Sequence, residues 1–217
     1  DKILEYAKSK NCRTAKMLSS VPLKRELKSF NDRQNQIIFT GSLGRQFKER
    51  ANILKSLASE DLGLKIFGMG LSEDLILTLP IEVIIRRYFP GMYRELSRRK
   101  ILPIFNPLKR YVEPPVFGKE MFNLLENSCM VINMHSSFDL NYAINMRVFE
   151  ALSAGCLLFT EKNMLVQKYF ENEKDLVIYR NLNDLSKKIR YFKKNTDEAL
   201  EIAKRGKIKI IEKHGIN

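Results

Sequence analysis

The residues best suited to chemistry stand at the start of one short predicted helix. Arg147 and Glu150 lie three positions apart on it, Asn141 or Asn145 could cap its start, and Gly155 suits the position just past its end. Unpaired N–H groups and the helix dipole attract an anion such as a phosphate, and Arg147 would add positive charge. Glu150 could accept hydrogen bonds from a sugar diol. A solvated Arg–Glu pair on an amphipathic helix is the plainer interpretation, and spacing alone favours it.

Apolar segments on both sides of this helix predict that it belongs to a parallel sheet. Residues 129–135 and 156–160 each predict a buried strand, so the order strand, loop, helix, strand indicates a βαβ unit. Ligands of such sheets bind outside the carboxyl ends of the strands. We therefore expect five polar side chains to cluster at that edge: His135, Asn145, Arg147, Glu150 and Thr160.

A second candidate ligand loop follows a strand predicted at residues 36–40. Gly41 and Ser42 open a G-x-x-G turn, and a helix is predicted from about residue 46 to 57. The glycines would let the backbone approach a ligand, and Arg45 could reach a phosphate. The turn lacks the G-x-G-x-x-G pattern of dinucleotide binders and the Gly-Lys-Ser/Thr of a P-loop, so it is weak evidence alone.

Composition narrows the class of protein. The chain has 217 residues and is 44% hydrophobic, which suits one α/β domain with attachments. Cys12, Cys129 and Cys156 show no metal-ligand spacing, and we expect the last two to be buried free thiols of a reducing compartment. No apolar run approaches the roughly 20 residues of a membrane-spanning helix. These features favour a cytoplasmic protein without a metal site.

The formal net charge of +13 predicts affinity for something anionic: nucleotide phosphates, nucleic acid, acidic lipid or an acidic polymer. Part of this charge falls in a predicted insertion at 71–115, which could lie on a membrane surface or bind an acceptor. A solvated basic helix packed through its isoleucines explains it slightly better. The residues that would dock on anionic lipid are Arg86, Arg87, Arg94, Arg98 and Arg99. No aromatic RNA motif or zinc-finger spacing is present, so we do not expect nucleic acid as a partner.

The rest of the chain predicts two regions. Residues 1–35 are polar and mixed in charge, and they are either a linker or remnant of a preceding domain or a helix packed on the main domain. Residues 36–217 form the main domain. Its remaining predicted elements are a strand at 64–70, a strand at 175–179, and helices at 117–126, 163–170, 181–194 and 196–214.

Taken together, the motifs resemble group 1 glycosyltransferases of the spore maturation protein B type. The most specific are N-M-R-V-F-E-A at 145–151 and G-C-L-L-F-T at 155–160, which occur in the family's order. V-I-N-M-H at 131–135 and F-T-G-S-L at 39–43 support them. The resemblance covers about residues 35–214, with a poor match over the predicted insertion.

The resemblance implies a Rossmann-like parallel sheet flanked by helices, which is the C-terminal half of a GT-B fold. That half holds a nucleotide-diphosphate sugar and usually needs no metal. It implies Glu150 as the ribose ligand and the helix start facing the diphosphate. The residues that it places around the nucleotide are Gly41, Ser42, Asn145, Met146, Arg147 and Glu150.

One position departs from the family's pattern. Many group 1 enzymes carry a second glutamate eight residues before the ribose-binding one, where this chain has Tyr142. His135 or Asp139 could serve the donor sugar instead, so His135 and Arg147 are our candidates for catalysis. Arg147 would stabilise the leaving diphosphate without reorganising in the transition state.

The acceptor site of a GT-B enzyme lies mostly in its N-terminal half. The 35 residues before the first predicted strand are too few for a second sheet domain of about 100 residues. We therefore expect this chain to bind nucleotide but to transfer no sugar alone, and the acceptor is undetermined. The alternative is a non-catalytic nucleotide-binding or nucleic-acid-binding basic module.

Overall fold

The computed structural model describes residues 27–43, 48–69, 84–85, 87–98, 108, 111–135 and 144–214. The strands within these ranges are β1 (Asn35–Ser42), β2 (Leu64–Met69), β3 (Val112–Glu113), β4 (Ser128–Asn133), β5 (Leu157–Glu161) and β6 (Val177–Tyr179). The helices are α1 (Lys48–Ala58), α2 (Pro90–Arg98), α3 (Gly118–Glu126), α4 (Met146–Ser153), α5 (Met164–Tyr169), α6 (Leu182–Lys194) and α7 (Thr196–His214). Predicted residues outside these ranges are Arg45, Arg86, Arg99, Asp139, Asn141 and Tyr142.

The six strands form one parallel sheet in the order β3-β2-β1-β4-β5-β6. The chain moves outward from β1 through β2 to β3, then returns to place β4 on the other side of β1. Ile37 of β1 is consequently paired with Leu64 on one side and Met130 on the other. The strand order reverses between β1 and β4, and such a switch point is where sheets of this kind bind ligands. The predicted parallel α/β sheet flanked by helices is confirmed.

Alternating side chains of the strands bury two faces. Ile37 and Phe39 point to one face, where they pack with apolar residues of α1, α6 and the first half of α7. Ile38 and Val131 point to the other face, where α3, α4 and Ile210 of α7 cover them. Because helices cover both faces of the sheet, consecutive residues of a central strand are both buried, although they point to opposite faces. This is why the central strands are continuously apolar in the sequence.

Gly155 ends α4 as predicted. Its φ of 70° is the left-handed conformation that costs glycine little. The Cys156 N–H donates to the carbonyl of Ala151 at 3.0 Å, and the Gly155 N–H donates to that of Leu152 at 2.9 Å. These are the two bonds of a Schellman motif, which satisfies the last carbonyls of the helix and turns the chain directly into β5.

Two local features differ from the sequence-based picture. The edge strand β3 pairs with β2, with Val112 opposite Ile66, inside the region predicted as an insertion. The same region contains α2, whose bounds the sequence did not predict; Pro90 is its first residue, where a missing N–H costs nothing. The bounds of the insertion, 71–115, stay a prediction.

The described end of the region predicted as a linker packs against the sheet. Phe30 and Arg33 are buried, and Arg33 Nη1 donates to the carbonyl of Ser128 at 2.6 Å. The division into residues 1–35 and 36–217 stays a prediction. Cys129 and Cys156 are buried free thiols as expected, and burial raises the pKa of Cys156 to about 12. In the described part of the chain, no helix is long and apolar enough to cross a membrane.

Candidate functional site

An arginine from α1 ties together the two strands that flank the switch point. Arg50 Nη1 donates to the carbonyl of Ser42 at 2.9 Å, at the end of β1, and Nη2 donates to that of Met134 at 3.0 Å, just beyond β4. Its guanidinium lies 5.8 Å from the centre of the Phe39 ring. Arg50 therefore fixes the spacing of the two strand ends between which a ligand would bind.

A buried chain of polar side chains joins the ends of β4 and β5 to the start of α4. Asn145 Nδ2 donates to Asn133 Oδ1 at 2.8 Å, and Asn133 Nδ2 donates to Thr160 Oγ1 at 2.9 Å. The Nε2 atom of His135 lies 3.2 Å from the same hydroxyl. Asn133, His135 and Thr160 are all buried, Thr160 completely. Three of the residues predicted for this edge are thus in direct contact through Asn133, which the sequence analysis missed.

Glu161 and Tyr179 complete this polar cluster. Glu161 Oε2 accepts a hydrogen bond from the backbone N–H of His135 at 2.7 Å. Burial raises the pKa of Glu161, although the His135 hydrogen bond and the positive charge of Arg50 oppose the shift. The Tyr179 hydroxyl donates to the carbonyl of Asn133 at 3.0 Å, and burial raises the pKa of Tyr179 well above its usual value. The ends of β4, β5 and β6 are therefore held to one another by side chains.

Among the described residues, no side chain caps the start of α4. Asn145 occupies the N-cap position with extended backbone angles, φ −71° and ψ 155°, but its side chain makes no capping hydrogen bond. The predicted side-chain cap from Asn145 is wrong: its Nδ2 donates to Asn133, and Oδ1, the atom that would cap the helix, has no hydrogen-bond partner among the described residues. Met146, the first residue of the helix, is 61% exposed. An uncapped helix start leaves backbone N–H groups for water or for an anion.

Arg147 and Glu150 form an ion pair that is largely removed from solvent. Arg147 Nη1 and Glu150 Oε2 are 2.5 Å apart, and the two side chains are only 18% and 17% exposed. Burial lowers the pKa of Arg147, and the neighbouring Glu150 opposes this shift. Arg147 Nε is buried with no hydrogen-bond partner among the described residues. The plainer interpretation of a solvated pair is therefore wrong, and an acceptor is missing at Nε.

The predicted site residues fall into three neighbouring groups. Asn145, Thr160 and His135 share the polar cluster, while Arg147 and Glu150 pair on α4. Gly41 and Ser42 are the last two residues of β1, so the prediction that they open a turn is wrong, because both pair with β2. Arg50 connects Ser42 to the chain after β4. The structure brings these groups to one edge of the sheet. Arg45 lies outside the described residues, so its role stays a prediction.

Four residues of this edge were missed by the sequence analysis: Arg50, Asn133, Glu161 and Tyr179. Asn133 and Glu161 did carry a usable signal, because each is a polar residue at the carboxyl end of an apolar strand. Arg50 carried a weaker one, as a basic residue in the first turn after β1. No local pattern marks Tyr179, since its hydroxyl partner is 46 positions away.

The sequence model of the glycosyl transferase-like family matches residues 45–217. The chain belongs to the glycosyl transferase-like family. The motif-based recognition of a group 1 glycosyltransferase is thereby confirmed, whereas the narrower spore maturation protein B type stays a prediction. No curated protein matches the sequence of this chain.

Several solved structures share the fold of this chain at low sequence identity. Anabaena HepE in complex with UDP-glucose superimposes with a TM-score of 0.57 at 12% identity, over 83% of this chain and 45% of HepE. A mutant of S. aureus TarM in complex with Fondaparinux, alpha-GlcNAc-glycerol and UDP gives 0.58 at 16% identity, over 90% of this chain and 35% of TarM. The C-terminal domain of LpcC from Francisella tularensis gives 0.53 at 10% identity, over 84% of this chain and 87% of that domain.

These likenesses establish a GT-B type Rossmann-like fold for this chain. The chain spans less than half of the HepE and TarM chains but most of the separately solved LpcC domain.

Proposed function

We propose that this transferase binds a nucleotide-diphosphate sugar at the carboxyl edge of its sheet, with the diphosphate at the start of α4. The observation that carries the proposal is the combination of an uncapped helix start with the adjacent Arg147, whose buried Nε lacks an acceptor among the described residues. A phosphate oxygen would meet both needs, because it accepts from backbone N–H groups and from a guanidinium. HepE was solved with UDP-glucose and TarM with UDP, in the same fold.

Arg147 and Glu150, the two members of the ion pair, have different roles in this proposal. Arg147 stabilises the negative charge of the leaving diphosphate, and it is already fixed by Glu150 before the reaction begins. Glu150 uses Oε2 for Arg147, so a ribose diol is received by the other carboxylate oxygen. Met146 contributes its backbone N–H rather than its exposed side chain. Thr160 is fully buried, so it positions its neighbours and does not touch the nucleotide itself.

Transfer requires an acceptor site that this half supplies only in part. We propose that a second GT-B domain provides it, and the longer chains of HepE and TarM support this. Within group 1 we assign the protein to the spore maturation protein B type on the strength of the 145–151 and 155–160 motifs. Sugar, base and acceptor are left to experiment, and the diphosphate needs no metal because α4 and Arg147 neutralise it.

Calorimetry with UDP, ADP and GDP and with their glucose conjugates tests the binding step. Glu150→Gln should weaken binding by about 10- to 100-fold, because a charge-assisted hydrogen bond contributes about 1.5–3 kcal/mol. Glu201→Gln is the matched control, since it removes an exposed Glu–Lys pair of the same spacing on α7. Unchanged affinity in a folded Glu150→Gln variant would reject the ribose role. Binding without turnover in a longer polypeptide that includes the second domain would favour the non-catalytic alternative.

We also propose that residues 84–95 dock on an anionic membrane. Four large apolar side chains are exposed there: Ile84 50%, Tyr88 67%, Phe89 56% and Met92 46%. The N–H of Phe89 donates to the carbonyl of Ile85, and that of Tyr93 donates to the carbonyl of Phe89, so these three residues follow one another at helical hydrogen-bond spacing. Tyr93 is buried and anchors it. Arg87 lies 6.0 Å from the ring centre of Tyr88. Exposed aromatics beside arginines suit the bilayer interface better than they suit a nucleic acid, which offers little apolar surface.

Vesicle sedimentation tests this docking. Phosphatidylserine vesicles should retain the protein more strongly than neutral ones, since each basic residue near the surface contributes about 1 kcal/mol. The variant Arg87→Glu/Tyr88→Ser should lose this preference. Lys168→Glu/Tyr169→Ser is the matched control, because Lys168 lies 5.6 Å from the Tyr169 ring in the same type of pair on α5. Equal retention on both lipids would discard the proposal, as would binding to RNA instead.

A further inference from the structure

The hydroxyl of Thr160 determines which nitrogen of His135 carries a proton. A fully buried hydroxyl needs an acceptor for its hydrogen. The Asn133 amide nitrogen already donates to Thr160 Oγ1 at 2.9 Å, so it cannot accept. The other side-chain neighbour of this oxygen among the described residues is His135 Nε2 at 3.2 Å. Thr160 therefore donates to Nε2, and a neutral imidazole that accepts at Nε2 holds its proton on Nδ1.

The direction of these hydrogen bonds is set at the start of α4. The reverse arrangement is conceivable, because amide groups can be turned end for end. It would leave the Asn145 NH₂ group, instead of Oδ1, buried without a hydrogen-bond partner among the described residues at the N-cap of α4. There the N–H groups and the dipole are positive, so an oxygen is favoured and an NH₂ group is repelled. With Oδ1 left at this N-cap, Asn145 Nδ2 donates to Asn133 Oδ1, and each later donor follows.

We propose that Asn145, Asn133 and Thr160 are positioning residues that hold His135 as the neutral Nδ1–H tautomer. At the same time, the backbone N–H of His135 donates to the Glu161 carboxylate, which fixes the backbone at His135. Any contact that His135 makes through Nδ1 is then made as a hydrogen-bond donor, and Nε2 is occupied by Thr160. In the reaction, His135 consequently donates to an oxygen of the donor sugar and does not act as a base. This last step rests on the proposed function, whereas the tautomer does not.

Imidazole nitrogen NMR measures the tautomer directly. The chain has two histidines, His135 and His214, so a His214→Gln variant assigns both. At about pH 8 a histidine side chain of ordinary pKa is neutral. We expect protonated Nδ1 and unprotonated Nε2 for His135 in the unliganded protein. A protonated Nε2 in the wild type would overturn the proposal.

Three substitutions test the direction of the hydrogen bonds that run from Asn145 to His135. Asn145→Asp preserves size and suits the helix start, but its carboxylate can only accept. Asn133 should then donate to it and accept from Thr160, which moves the His135 proton to Nε2. Thr160→Val removes the hydroxyl without changing the shape and should give a mixture of tautomers, whereas Thr160→Ser should keep Nδ1–H. An unaltered tautomer in Asn145→Asp would refute the directional chain.

The same variants separate this proposal from the proposed function. Thr160→Val should reduce the preference for UDP-glucose over UDP by about fivefold, the equivalent of one hydrogen bond, and Thr160→Ser should restore it. If no nucleotide binds to the wild type, the proposed function fails while the tautomer result stands. If nucleotide sugars bind but Thr160→Val leaves their preference over UDP unchanged, the donor role of His135 fails alone.

Discussion

Arg147→Met tests the diphosphate site with little disturbance of packing. Methionine keeps the buried unbranched stem and removes the guanidinium, which pairs with Glu150 at 2.5 Å and has an unsatisfied Nε among the described residues. If the diphosphate accepts from this guanidinium, the variant loses a charge-assisted hydrogen bond of about 1.5–3 kcal/mol. The affinity for UDP should fall about 10- to 100-fold. Uridine makes no such contact, so its affinity should change less than about twofold.

The substitution also leaves Glu150 without its partner. Exposed ion pairs contribute about 0–1 kcal/mol, and breaking a buried one costs about 3–5 kcal/mol. At 17% exposure Glu150 lies between these limits but can still reach water, so we expect a stability loss of about 1–3 kcal/mol. Lys204→Met is the matched control, because Lys204 pairs with Glu201 at the same spacing while 43% exposed. It should change stability by less than about 1 kcal/mol.

Calorimetry against UDP and uridine, with urea denaturation of every variant, separates the two effects. The decisive quantity is the ratio of the UDP and uridine dissociation constants. The expected result is a ratio that rises in Arg147→Met and stays constant in Lys204→Met. Equal losses for UDP and uridine would show that Arg147 only supports the fold of α4, and the assignment of the diphosphate to this helix start would then be wrong.

Three further predictions concern other parts of the structure. Burial raises the pKa of Glu161, so the wild type loses stability as the pH rises through that pKa; Glu161→Gln should therefore gain stability relative to the wild type as the pH rises above about 4.5, as measured by denaturation, and a constant difference would refute this. Gly206→Ala should lower the free energy of unfolding by about 1–3 kcal/mol despite its better helix propensity, because the new Cβ would clash with the carbonyl oxygen of Asp175; a rise in melting temperature would contradict the close approach of α7. UDP affinity should be the same with EDTA as with Mg²⁺, since α4 and Arg147 neutralise the diphosphate; a loss in EDTA would indicate a metal-dependent site.

Most of the secondary structure could be predicted because its causes are local. Each strand signal is a short run of consecutive apolar residues, as at β1, β4 and β5. The helix signal is equally local, because Val148 and Leu152 are four positions apart. Gly155 signals a helix end through its own conformational freedom. β3 could not be predicted in this way. It is two residues long, and its hydrogen bonds with β2 join segments that are distant in the sequence, with Ile66 opposite Val112.

The sequence predicted several residues of the candidate site, but it did not predict their hydrogen-bond partners. A polar residue at the end of a strand predicts a place at the ligand edge, and so His135, Thr160 and the Asn145–Glu150 helix start could be named. Whether a side chain caps a helix or bonds to another strand depends on which strands become neighbours. Asn145 meets Asn133 across 12 positions, and Asn133 meets Thr160 across 27.

The sequence by itself therefore determined most of the elements and several of the polar residues at the ligand edge, since both follow from local spacing and strand direction. Only the tertiary structure decided that Asn145 leaves α4 uncapped, that Arg147 is buried with an unsatisfied Nε among the described residues, and that Arg50 connects β1 to β4. The physical reason is that a buried polar atom takes whichever partner the sheet order brings within about 3 Å, and that order is fixed by contacts distant in the sequence.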